Sequence, residues 1–392
     1  MTTETSNQSN VLFNPNLHII FSVTLVAIMG VSSLTPAFPK MGQAFKAAPS
    51  QISWLITVFT LPGVFLTPVL GVLADRWGRK QILIPSLVLF GIAGTTCFFL
   101  RDFNWLLFAR FFQGIGAAAL GSLNVTLIGD LFSGKTRTTA MGYNASVLSI
   151  GTASFPLVGG ALAGFGWHFP FLLPGFAILV SFGVLFRLQN PAPNEKQKLT
   201  HYFSEAWKNI KNRHTIGLFL ISVMSFIIVY GAMLTYLPFL LNQRFQLSPL
   251  KIGLILSSSS LSTALTAAQV GKLSHRFSEK QLLKIGFLLY AAGMLIIPFV
   301  TTVWLMLIPT LIFGMGSGLN FPTVQTLLAA QAPINQRAMI MSLNGMVLRL
   351  GQTLGPLLMA FFFSLLGINS IYFVAAGFAL LLLLTSSLFL RE

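Results

Sequence analysis

From residue 17 onward the chain is a succession of long apolar runs separated by short polar breaks, and each run is continuous instead of alternating. A helix needs about 20 mostly apolar residues to cross a bilayer. Twelve runs meet that length, at 17–38, 51–72, 81–100, 105–129, 138–163, 169–188, 214–241, 249–271, 281–301, 303–329, 337–366 and 369–390. They predict an all-α membrane protein with twelve transmembrane helices. A membrane β-barrel would show short segments of alternating polarity, and these runs are too long and too uniform for it. Composition agrees: 54% of residues are hydrophobic, 8% are charged and the mean hydropathy is +0.79, whereas about a quarter of a soluble domain is charged. Residues 1–16 are mostly polar, lack Lys and Arg and run into a full-length span. They are expected to form a cytoplasmic tail, with the first helix retained as an anchor and not cleaved as a leader.

The pattern repeats. The stretch "GVLADRWGRK" at 71–80 returns 200 positions later as "GKLSHRFSEK" at 271–280. Gly114 and Gly116 match Gly314 and Gly316; Arg137, Met141, Asn144, Val147 and Leu148 match Arg337, Met341, Asn344, Val347 and Leu348; Gly151 and Pro156 match Gly351 and Pro356. Two pseudo-symmetric six-helix halves follow, at 17–188 and 214–392. Such repeats characterise secondary transporters, whose substrate site lies near the bilayer midplane between the halves. The linker at 189–213 opens on a Pro pair. Leu199, Tyr202, Phe203, Ala206, Trp207 and Ile210 then recur at helical spacing, which fits an amphipathic helix on an anionic inner leaflet. A plain connector fits equally.

The net charge of +16 would point to nucleic acid in a soluble chain, but here its distribution is topological. With the first helix starting inside, seventeen cations fall on inner segments, and only Lys40, Lys46, Arg101, Arg244 and Lys251 fall on outer ones. The positive-inside rule then places both termini and the long linker in the cytoplasm, across a plasma or bacterial inner membrane. Cys97 is the single cysteine, so no intrachain disulfide is expected.

Three motifs carry a resemblance to the major facilitator superfamily, in particular its drug-efflux antiporters. "GVLADRWGRK" resembles the signature between helices two and three, "RFFQGIGAAAL" the helix-four motif, and "GTASFPLVGG" the helix-five motif of exporters. Phe155 stands where the last pattern has Gly, and Met359 and Ala360 replace its final Gly pair in the second half. Gly71, Asp75, Arg76, Gly78, Arg79 and Lys80 are read as an inner latch that stabilises the outward-facing state. The resemblance implies helix eleven as its neighbour and Asp130 as a further member. In the second half His275 takes the position of Asp75 and Glu279 that of Arg79, so a weaker latch is expected there. Gly151, Pro156, Gly159, Gly160, Gly355 and Pro356 are expected to serve close helix approach and local bending in helices five and eleven.

Two cations lie inside spans, Arg110 and Arg349, and an intramembrane charge marks a functional candidate. The resemblance links the helix-four arginine, here Arg110, with proton transfer; snorkelling is its alternative. All eight acids, Glu4, Asp75, Asp102, Asp130, Glu195, Glu205, Glu279 and Glu392, fall in tails, loops or helix ends, so the buried carboxylate that cation/proton exchange ordinarily exploits is missing. Candidate cavity groups are Arg349, Thr24, Met29, Ser33, Trp54, Asn124, Phe226, Tyr230, Tyr236, Asn320, Gln325 and Gln352. The expected function is alternating-access export of small amphipathic compounds, with proton exchange implied by the resemblance. An organic-anion or lipid-like-anion carrier using Arg349 and a non-transporting membrane sensor stay open. No catalytic constellation, metal cluster or cofactor motif stands out: "GIGAAALG" is glycine-rich but lies inside an apolar span and follows no strand. The expected partners are a small-molecule substrate, the bilayer and a proton or other ion, and a monomer is expected.

Overall fold

The computed structural model describes residues 11–189, 213–331 and 337–389; the amphipathic-helix expectation falls outside them. Twelve membrane-length helices are present among the described residues: α1 Pro15–Phe45, α2 Pro49–Trp77, α3 Arg79–Phe99, α4 Phe103–Leu131, α5 Gly134–Phe165, α6 Phe169–Arg187, α7 Arg213–Phe245, α8 Pro249–Leu273, α9 Glu279–Phe299, α10 Trp304–Gln331, α11 Arg337–Leu366 and α12 Ile368–Phe389. Each expected span has its helix, and several, such as α4, α5 and α7, extend past the apolar run at one or both ends. A lipid environment offers the backbone no hydrogen bonds, so helix is the form that satisfies every amide within these segments.

Local chemistry sets the breaks. Asp102 caps α4 by accepting from the amides of Asn104 and Trp105, and Ser278 and Gln281 form a reciprocal cap on α9. Gly78 joins α2 to α3 at φ 101°, a conformation that favours glycine. Lys46 and Gln246 both close their helices in the left-handed region at φ 50°, and Pro49 and Pro249 open the next ones. These pairs are again 200 apart. The symmetry breaks within α1 and α7: the first tightens to a 3-10 turn at Thr35–Ala37, and the second widens to a π-helix at Ile228–Tyr236. The π segment lies just before Pro238, whose ring supplies no amide donor. Within it the Thr235 hydroxyl donates to the Tyr230 carbonyl at 2.6 Å.

There are two apolar cores, one running from Val11 to Leu188 and joined by Phe239 of the second half, and one from Leu218 to Leu382. The tertiary contacts repeat in the same register. A side chain at Gly114 would meet the Phe59 carbonyl oxygen, and one at Gly314 the Ser259 carbonyl oxygen. Gly116 backs onto Ser86 and Phe90, Gly316 onto Gly286 and Tyr290. The duplicated residues therefore build duplicated backbone contacts, and in a membrane such close approach is a main source of helix association.

The halves join chiefly through α5 on α8 and α2 on α11. The joint is one-sided. Toward the cation-poor face, Gly159 lies on the Ser33 carbonyl, Gly160 on the Pro249 carbonyl and Gly253 on the Pro156 carbonyl, and the Phe38 and Phe239 rings stack at 6.3 Å. Toward the cation-rich face, Gly71, Gly142 and Gly271 have nothing within 4 Å of where a side chain would begin. Because the closest backbone contacts all lie at the cation-poor face, we read the chain as closed there and open at its cation-rich face.

Two outcomes are expected. Gly114→Ala or Gly314→Ala should each cost about 1–3 kcal/mol, since the helices must separate to admit the methyl group, while Gly142→Ala should be neutral; thermal unfolding of purified protein checks both. In a Cys97→Ala background, a polar thiol reagent should label Gly142→Cys and Gly271→Cys and spare Ser33→Cys. Labelling in the opposite order would reverse the assignment of the open face.

Candidate functional site

Three polar groupings occupy different depths. At the cation-rich end Arg79, the first residue of α3, is 7% exposed and forms ion pairs with Asp75 of α2 and, at 2.9 Å, with Asp130 of α4. Lys80 donates to the Leu185 carbonyl of α6 at 3.1 Å. Gly78 makes this convergence possible by turning the chain sharply between α2 and α3. The cluster thereby ties four helices of the first half together. Here the carboxylates Asp75 and Asp130 share one guanidinium within that half.

Arg110 lies about two turns from the opposite end of α4 and is only 1% exposed. It does not snorkel. Its guanidinium sits 4.1 Å over the Phe59 ring, donates to the Gln113 side-chain oxygen at 2.6 Å and reaches the Leu55 carbonyl at 3.3 Å. Every one of these partners is neutral. The arrangement seals a cation between α2 and α4, where desolvation is offset by hydrogen bonds and the aromatic face.

Arg349 occupies the seam between the halves, about 18 Å along α11 from its start at the helical rise. It is half-buried. One guanidinium nitrogen donates to the Gln352 side-chain oxygen at 3.2 Å, and the other crosses to the Ala117 carbonyl of α4 at 3.3 Å. Its stem lies along Gly63 of α2 and its tip beside Gly121 of α4, so missing side chains in the first half make room for a cation from the second. Thr57 and Thr60 of α2 extend the seam by bonding to Thr353, at 3.3 Å to its carbonyl and 2.8 Å to its hydroxyl. On α7 and α10, Phe226 stacks with Tyr230 at 5.7 Å and lies 5.5 Å from Phe321.

The other candidates disperse. Thr24 and Asn124 do meet, in a triad with Asn144: Thr24 donates to Asn144 at 2.6 Å and accepts from Asn124 at 2.9 Å, linking α1, α4 and α5. Ser33 donates to the Met29 carbonyl at 2.6 Å and belongs to the closed face, as does Tyr236, whose ring lies 5.5 Å from Phe363. Met29 is buried in the first core. Asn320 packs on Gly286 between α9 and α10, Gln325 is half-buried on α10, and Trp54 stands exposed at the start of its helix. In α5 and α11, Gly151 lies against Leu25 and Ile28, Pro156 against Gly253, and Gly355 against Ile227 and Gly231, while Pro356 is buried within its helix. Sequence reasoning missed Gln113, Asn144, Thr353 and Phe321 as site members. Asn144 was visible as one of the residues repeated at the 200 offset; the others stand in apolar or small-residue runs with nothing to mark their orientation.

Comparison with known proteins bears on the whole length. The chain is 25% identical over 374 residues to multidrug resistance protein 2 of Bacillus subtilis (strain 168), covering 93% of this chain and 92% of that protein. It is 27% identical over 378 residues to the bacillibactin exporter of the same organism, covering 93% of each. A bacterial homologue of the human lysosomal transporter Spinster, solved in an inward-facing, unoccupied conformation, superposes with a TM-score of 0.80 over 98% of both chains at 17% identity. The Major Facilitator Superfamily model matches residues 20–251 and 239–392, and with the duplicated six-helix architecture this establishes that the chain belongs to that superfamily of membrane transporters.

Proposed function

We propose that the protein exports small amphipathic compounds from the cytoplasm by alternating access, in exchange for protons. The observation that carries this reading is the likeness, over more than nine-tenths of the chain, to multidrug resistance protein 2 and the bacillibactin exporter. The geometry supports it through the seam, which offers a cation at Arg349 and the aromatic faces of Phe226 and Tyr230 to one solute. An amphipathic molecule has use for both.

In this reading the cation-rich face is cytoplasmic, both termini lie there, and the open arrangement is the one that loads cargo. The hinge is the glycine-lined joint of α5 and α8 at the closed face. Return to the outward-facing state brings α11 toward the α2–α3 turn, where Asp75, Arg76, Gly78, Arg79, Lys80 and Asp130, with Gly71 just above, form the latch. Arg79 is its pivot because both carboxylates already converge on it. Arg110 is the candidate for coupling: a sealed cation with only neutral partners responds strongly to any charge change near it, since opposing charges are poorly screened in such a medium.

Energised everted vesicles carrying a pH-sensitive dye test the proposal. Adding a transported amphipathic compound should restore fluorescence as protons leave, and Arg110→Ala should abolish that response without preventing insertion of the protein. Flux of labelled compound with no proton movement would remove the exchange and keep the export. Accumulation of compound in whole cells, dependent on this protein, would overturn export itself.

A further inference from the structure

Arg349 differs from the other intramembrane cation in a way that bears on cargo. Arg110 is sealed at 1% exposure beneath an aromatic ring. Arg349 is half-buried on the seam that opens toward the cation-rich face, and its partners are the Gln352 amide oxygen and the Ala117 carbonyl, at 3.2 and 3.3 Å. Charge-assisted bonds to a carboxylate run shorter, about 2.7–2.9 Å. The guanidinium therefore keeps donor capacity and a full positive charge that neutral oxygens at these distances do not neutralise. Among the described residues no carboxylate pairs with it, and the described acids, Asp75, Asp102, Asp130 and Glu279, all stand at helix ends. The hollow it enters is made by Gly63 and Gly121, and aromatic rings of α7 and α10 flank the same seam.

We propose that Arg349 is the specificity-determining contact for an anionic cargo, a small aromatic carboxylate, whose carboxylate pairs with the guanidinium while its ring lies against Phe226, Tyr230 and Phe321. This rests on the export reading and deepens it by naming the charge and class of the exported compound. The cargo's oxygens replace the long bond to the Ala117 carbonyl. Because that bond crosses from the second half to the first, binding releases one of the ties that hold the seam, and recognition is thereby joined to rocking. The missing membrane carboxylate is then consistent with function: an anion needs no buried acid to greet it. Its outward movement carries negative charge down an inside-negative potential, so the potential itself assists export.

The test uses purified full-length protein in proteoliposomes loaded with one of three compounds of nearly one shape: 1-naphthylacetate, its neutral amide, or 1-naphthylmethylammonium. Efflux through the face that corresponds to export is followed with and without an imposed potential, negative on the loaded side. Efflux of the carboxylate should exceed that of the amide, and the imposed potential should speed it. Arg349→Ala should cut carboxylate efflux by about 30-fold, the lower range for truncating one partner of a desolvated charge pair, and so abolish the preference for the carboxylate over the amide. Arg349→Lys should restore part of it, and it should also restore the response to potential, which a purely structural role would not move. Arg349→Met, close in volume, covers the case in which the alanine variant does not fold. Preferred efflux of the ammonium compound, or carboxylate efflux indifferent to all three substitutions, would overturn the anionic assignment and leave export standing. Absence of protein-dependent efflux of all three would overturn both.

Discussion

Close approach of helix backbones is the constraint on which the rest of this protein depends. Lipid tails are as apolar as the leucines and phenylalanines facing them, so helices gain little by hiding side chains from the bilayer and associate instead by packing closely. Glycine makes that packing possible at Phe59 and Ser259, and it does so again where α1, α5 and α8 converge on the cation-poor face. At that convergence three carbonyl oxygens lie where side chains would otherwise stand. The joint is therefore stiff at one end, and the open end is free to move about it. A rocking transporter needs this asymmetry.

Charge inside the membrane is the second constraint. Placing an arginine at the centre of a helix costs about 2.5–3.5 kcal/mol on insertion scales, and this chain carries two arginines inside its spans. The two are offset differently. Arg110 is covered by an aromatic face and two neutral oxygens within its own half, whereas Arg349 reaches into the opposite half and keeps contact with the open seam. One cation lies within a helix pair, and the other sits where the two halves meet. Moving one elementary charge across the membrane is worth about 2.3 kcal/mol per 100 mV, which is comparable with the energies that govern such a seam.

The ion cluster at the cation-rich end works at a third level. Arg79 holds Asp75 and Asp130 at once, so three helix ends of the first half move together. The second half has Ser278 and Gln281 capping α9 at the corresponding place, a local device that stabilises one helix and links none. At this place the duplicated halves are thus alike in backbone and unlike in side-chain chemistry.

The sequence alone determined the twelve spans, their order and the 200-residue repeat. Length and hydropathy are one-dimensional properties, and the bilayer demands both of every helix that crosses it. It also placed two cations, Arg110 and Arg349, inside spans. What it did not hold was direction around each helix axis. Because lipid and protein interior are equally apolar, no amphipathic stripe separates a seam from a lipid face, and Tyr230, Tyr236, Asn320 and Phe226 looked alike as candidates. Tertiary structure sent Tyr236 to the closed face and Asn320 to the α9–α10 contact, brought Phe226 and Tyr230 to the rings of the seam, and gave Thr24 its partners Asn124 and Asn144. It also decided that Arg110 is sealed and Arg349 reachable, because exposure of a membrane cation depends on which neighbouring helix offers a glycine and which offers an aromatic ring.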